Sequence, residues 1–269
     1  MDGWVRPPAV AGFFYPAEAR RLAAEVDGYI AAGLHTGDGR VEASPVPKVL
    51  IAPHAGYRYS GPVAGAGYAR LDPARASITR VVLVGPAHHL RVEGLAVSGA
   101  GYFATPLGLV PVDASLRDLA LGCPGVVLDD AAHAPEHSLE VHLPFLQRSL
   151  DSFSLLPLVA GRATPRQVAD VLEAVWGGSE TLIVVSTDLS HYHDYSTAQG
   201  LDRRTADAIV HCAVEAIGPY DACGAVPVRG VLEAARRQHL HVELVDLRTS
   251  GDTAGPKDRV VGYGAFIAA

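Results

Sequence analysis

Short runs of β-branched apolar residues alternate along this chain with longer, Ala-rich amphipathic segments. Such runs build buried strands, and the segments between them carry the period of helices that cover a sheet. The pattern is that of an α/β domain with a central, largely parallel or mixed sheet flanked by helices. Strands are predicted over 48–52, 80–84, 94–98, 154–159, 181–186, 241–247 and 259–267. Helices are predicted over 18–31, 63–71, 114–121, 165–175, 198–216 and 227–238. Thr164 and Pro165 mark one helix start as an N-cap followed by proline at the first helical position, and Gly177-Gly178 stops the same segment. Over 136–150, Leu139, Leu143, Leu146 and Leu150 form a helical stripe. Pro144 lacks a backbone donor, so a helix kinked or begun near it is expected.

The 269 residues, 49% of them hydrophobic, suffice for a sizeable core. A polar connection between Gly33 and Val46 comes too early to separate two viable domains, so residues 1–269 read as one domain. Lys and Arg number 22 against 29 Asp and Glu, a net charge of −7 that offers no attraction to phosphate backbones or anionic lipid. Nucleic-acid and membrane partners are therefore not expected. The longer apolar runs, such as 81–84 and 182–185, fall far short of the roughly 20 residues that cross a bilayer. Asp2 stands where a secretory leader needs base, and the expectation is a cytoplasmic protein.

Three cysteines, Cys123, Cys212 and Cys223, form no C-x-x-C pair, which argues against a disulfide framework and a zinc ribbon. Neither Lys48 nor Lys257 follows a glycine-rich loop, and no G-x-S-x-G elbow occurs. Ser186, Asp188, Ser190 and His191 lie close in sequence, but a catalytic triad is defined by geometry across the fold, and the two serines read as turn formers. Cys212 reads as a small core residue in an apolar helix face. Cys223 lies in a break just before a predicted helix, where backbone donors favour a thiolate, and is a candidate ligand or nucleophile.

Eight of the twelve histidines fall in four windows: His54; His88 and His89; His133, His137 and His142; His191 and His193. Three windows directly follow a predicted buried strand, and in open α/β sheets ligands bind beyond the carboxyl ends of strands. Imidazoles converging there suggest a metal or acid–base site. His88 and His89 are adjacent and point in opposite directions on an extended segment, so at most one of them is expected to face a common ligand. His137, Glu140 and His142 form H-x-x-E-x-H, which sets the histidines about 140° apart around a helix and excludes a zincin.

The segments IAPHAGY from Ile51, GPAHH from Gly85, TPLG from Thr105, EHSLEVHLP from Glu136, STDLSH from Ser186, Cys223-Gly224 and Ser250-Gly251-Asp252 follow one another as in the Memo family, and the chain resembles that family from Arg6 to Ile267. Its bacterial and archaeal members are called AmmeMemoRadiSam system protein B. The resemblance implies the fold of class III extradiol dioxygenases, whose iron is held by two histidines and a glutamate. It implies His54 and His88 as metal ligands, with Cys223 where those enzymes put the carboxylate. His191 would match their general base, with Asp188 beside it. His89, Glu140 and His142 would orient the ligands or rim the site, and Tyr57, Tyr192 and Asp252 would line its mouth. Fe(II) is the implied metal, while the softer thiolate also suits Zn(II) or Cu(I). The implied activity is an iron-dependent oxidation of a small oxygenated substrate. The alternative is a binding or adaptor protein that keeps the cleft for a peptide or acidic ligand. The family's genomic name implies a link to a radical-SAM protein.

Overall fold

The computed structural model describes residues 3–34 and 46–269, so most of the polar connection expected between Gly33 and Val46 lies outside the described residues. In chain order the strands are β1 (Val5–Arg6), β2 (Val49–Ala52), β3 (Arg80–Pro86), β4 (Leu95–Val97), β5 (Tyr102–Thr105), β6 (Gly108–Pro111), β7 (Val126–Leu128), β8 (Ser154–Ala160), β9 (Thr181–Ser186), β10 (His191–His193), β11 (Val242–Thr249) and β12 (Val260–Ala268). The α-helices are α1 (Ala19–Leu34), α2 (Tyr57–Ala69), α3 (Ala114–Leu121), α4 (Asp130–His133), α5 (His137–Glu140), α6 (Leu143–Ser149), α7 (Pro165–Ala174), α8 (Tyr195–Val210), α9 (Ala225–Arg237) and α10 (Ser250–Thr253).

At the centre of the main sheet, β2, β9, β3 and β8 run parallel in that spatial order. They read as continuous apolar runs because both faces are covered. Val82 and Val84 point into one core cluster with residues of α3, α7 and α9. Val81 and Leu83 point into the other, with residues of α1, α2 and α6. The strand period of two thus feeds two layers from one strand, and each buried Val or Leu contributes roughly 1.5–3 kcal/mol. Both flanks are antiparallel: β12 pairs β2 and β11, while β4 pairs β8 and carries β7 alongside. The sheet is therefore mixed with a parallel centre. A second, three-stranded sheet joins β1, β5 and β6.

Several boundaries differ from the sequence reading. Helix α2 starts at Tyr57 and runs through Pro62. Helix α8 stops at Val210 because the chain turns left-handed at Cys212 (φ 49°) and continues as a short 3-10 turn over Val214–Ala216. The stretch 136–150 is two short helices, and Pro144 sits in the first turn of α6, where its missing donor has no intrahelical partner to lose. No helix among the described residues is long and apolar enough to cross a membrane.

The neighbouring ends of β2, β3 and β9 set the functional geometry, because the loops leaving them carry His54, His88 and Asp188. β12 meets β2 through Phe266, Ile267 and Ala268, and meets β10 nearer its own start, through Val260 and Val261. Since β12 is antiparallel to β2, this register places β10 and His191 beyond the carboxyl end of β2.

Candidate metal centre

His54 leaves β2 into a fully enclosed position, 3% exposed, and its ring is fixed by a chain of two hydrogen bonds. Nδ1 lies 2.6 Å from Ser186 Oγ, and that hydroxyl donates to the Ser138 carbonyl at 2.6 Å. The single hydroxyl proton is thereby committed, so Ser186 accepts from Nδ1–H and Nε2 keeps its lone pair. Burial, then the neighbouring His88 and His137, hold the His54 pKa well below the ordinary imidazole value, so the ring is neutral. Its Nε2 is 3.3 Å from Cys223 Sγ.

His88 is oriented in the same way by a carboxylate. Its Nδ1 donates to Glu136 Oε1 at 2.9 Å, while its backbone amide donates to Oε2 at 2.6 Å. Glu136 is 2% exposed and also accepts from the Ser138 amide. Burial alone would raise its pKa, but these hydrogen bonds hold it below the usual carboxylate range. His88 therefore presents Nε2. The His137 ring stacks on His88 with centroids 4.8 Å apart and meets His54 edge-on at 5.7 Å.

Cys223 precedes α9, whose start is pressed against the end of β9. Gly224 permits that approach, since a Cβ there would lie 2.5 Å from the Ser186 carbonyl oxygen and 2.7 Å from Thr187 Cβ. The Cys223 sulfur receives the Asp188 amide at 3.2 Å. Burial and the Asp188 carboxylate push the free thiol up to about 12. One ligand atom from each of His54, His88 and Cys223 lies within 4.8 Å of the other two. Metal–nitrogen bonds of about 2.1 Å and metal–sulfur bonds of about 2.3 Å set tetrahedral ligand atoms about 3.5 Å apart, close to the Sγ–Nε2 separation. Two free imidazole nitrogens and one sulfur are a donor set that fits Fe(II), Zn(II) or Cu(I). His88, Glu136 and His137 make a second grouping of the same size, but the Glu136 oxygens are already committed to His88 and Ser138. Beside the thiol opens a cavity of about 240 Å³ lined by Pro86, Leu90, Val92 and Val226 and also by Arg91 and Arg162.

A Memo-like protein family model matches residues 6–267. The chain belongs to the Memo family. It is 37% identical to a MEMO1 family protein of Ignicoccus hospitalis, over 97% of each chain. It is 34% identical to one of Methanothermobacter thermautotrophicus, over 96% of this chain and 98% of that one. An uncharacterized Escherichia coli K12 protein of known structure shares the fold at a TM-score of 0.53 and 15% identity, covering 81% of this chain and 98% of that one.

In this Memo protein the remaining expected residues divide. His191 is half-buried, and its Nδ1 donates to the Leu189 carbonyl at 2.8 Å, leaving Nε2 open. Tyr192 beside it is 65% exposed, left-handed at φ 64°, and carries Arg259 over its ring. His89 is exposed at the rim, 5.8 Å from the His137 ring. Asp188 does not bond His191; its Oδ1 accepts the amides of His54 (2.8 Å) and Ala55 (3.3 Å) and so fixes the loop after β2.

Four expectations are corrected. Glu140 does not rim the cleft: it is fully buried, paired with Arg6, and accepts Tyr15 Oη and the amides of Ala9 and Val10, which fastens the N-terminal segment. His142 is 1% exposed and bonded to Tyr68 Oη at 2.9 Å inside the helical layer. Tyr57 is buried and donates to the Val141 carbonyl. Asp252 caps α10 by accepting from Thr249 and lines a different cavity. Sequence reasoning left out Glu136 as the partner of His88, and passed over His137 by placing it on one continuous helix with His142.

Proposed function

We propose that this Memo-family protein is a metal-dependent oxidoreductase acting on a small oxygenated molecule, with Fe(II) held by His54, His88 and Cys223. The observation that carries this reading is a pair of imidazoles whose Nδ1 atoms are tied down, by Ser186 and Glu136, so that both Nε2 atoms and the Cys223 sulfur are offered together. Iron in such a donor set supplies redox chemistry and a Lewis acid. The protein's own groups do the rest. Glu136 fixes the His88 ring by accepting from Nδ1, so that Nε2 is the nitrogen on offer. His191, with Nδ1–H given to Leu189, has Nε2 available to take a proton from a substrate hydroxyl. Asp188 is a positioning residue for the His54 loop. The cavity beside Cys223, lined by Leu90, Val92 and Val226 together with Arg91 and Arg162, suits a compact oxygenated molecule.

Elemental analysis of anaerobically purified protein tests the reading, with wild type compared to His54→Ala and Cys223→Ser. Near-stoichiometric iron in the wild type, lost from both variants, is expected. Zinc or copper lost in the same way would keep the site and change its chemistry. No metal in any of the three after reconstitution with iron would overturn it. One observation favours a second reading, a binding protein for a small molecule or peptide: Cys223 Sγ already lies 3.3 Å from His54 Nε2, so the two groups can satisfy each other within the protein as part of a hydrogen-bonding pocket. A binding protein of that kind would keep its ligand affinity in wild-type protein stripped of metal by a chelator.

A further inference from the structure

A cavity of about 280 Å³ opens between α8, the end of β11 and α10, and shares no lining residue with the candidate metal centre. Most charges on its wall are already matched. Arg248 bonds Asp246 through Nε at 3.1 Å. Asp252 accepts the Tyr195 hydroxyl on Oδ1 and both the amide and hydroxyl of Thr249 on Oδ2. Two charges are left over, on consecutive residues of α8. Asp202 is 1% exposed and forms the floor, where Oδ1 accepts the Ser190 amide at 2.9 Å and Oδ2 has no hydrogen-bond partner. Burial raises the Asp202 pKa, and the amide and nearby hydroxyl of Ser190 oppose that shift; the hydroxyl makes no bond of proper geometry with the carboxylate and itself lacks a partner. Arg203 stands exposed at the rim and has no ion pair among the described residues.

The floor is a built feature. A Cβ at Gly262 would lie 2.0 Å from Asp202 Oδ2, so the carboxylate has its seat only because residue 262 is glycine. An unpartnered oxygen on a buried carboxylate is costly, and an incoming cation recovers that cost as a charge-assisted hydrogen bond.

We propose that this cavity is a second ligand site, taking a small zwitterion whose ammonium group pairs with Asp202 at the floor and whose carboxylate pairs with Arg203 at the rim. One leftover anion and one leftover cation select such a ligand over a simple anion or a simple amine. The volume lies near the lower end of small-molecule sites and suits a molecule of amino-acid size. The site is independent of any metal.

Isothermal titration of the full chain with ω-amino acids from glycine to 6-aminohexanoate tests this, with butyrate and butylamine as single-charge controls. At least one ω-amino acid is expected to bind, with each control at least about tenfold weaker. Asp202→Asn, which keeps the side-chain volume and the bond to Ser190, and Arg203→Ala, on the surface, should each weaken binding about tenfold or more. Should Asp202→Asn not fold, Gln199→Trp at the cavity wall replaces it as the blocking variant. Absence of binding by every ω-amino acid at about 10 mM, or affinity unchanged in either variant, would overturn the proposal.

Discussion

Which nitrogen a histidine offers is decided here by a neighbour far away in sequence. Glu136 lies 48 residues from His88 and carries no local mark of its role, whereas His54 and His88 are recognisable as histidines just beyond buried strands. Strand-end position could be read from the chain; the partner of each ring could not. His137 was obscured for a related reason, because α5 and α6 are separate helices and a single helical wheel through both misplaces its ring. Glu136→Gln keeps the shape and removes the charge, so His88 loses a charged acceptor. Metal affinity, measured by competition with a chromophoric chelator, should fall about 10- to 100-fold. Unchanged affinity would mean that Glu136 has no part in metal binding.

At the scale of elements, the buried strands were the readable part, since a β-branched run covered on both faces has few alternatives. Helix α2 was not, because a segment with three glycines and a proline has poor intrinsic propensity. It is helical because it packs on α1: the Tyr29 ring lies where a Cβ at Gly61 would be, at 2.5 Å. The short strands β1, β5, β6, β7 and β10 depend wholly on partners and left little pattern. Gly224 shows an element junction at work on the candidate centre. Gly224→Ala must push α9 away from Ser186 and Thr187, costing roughly 1–3 kcal/mol. Urea unfolding should register that loss, and metal stoichiometry should drop with it as Cys223 moves; a variant as stable as wild type would show that the junction yields freely.

Across the whole molecule, the mixed α/β architecture followed from the alternation of runs, while the tie between Arg6 and Glu140, 134 residues apart, had no sequence signal at all. Burial also leaves a mark on global stability. It lowers the pKa of His133 to about 4 and of His142 to about 3, both below the ordinary value of 6.5. As pH falls below 6.5 the unfolded chain takes up protons that the folded state refuses, so stability drops by up to about 1.4 kcal/mol per pH unit per histidine until those lower values are reached. Urea midpoints at pH 7 and pH 5 should therefore converge in His142→Gln relative to wild type; an equal acid loss in both proteins would contradict this. One further consequence lies in the order of synthesis. Among the described residues β10, which carries His191, pairs with β12 alone, and β12 also closes β2 and β11. A ribosome must therefore release residues 260–268 before the imidazole of His191 has a fixed place beside the others. A nascent chain arrested before β12 should therefore present His54, His88 and Cys223 while His191 still lacks its partner strand.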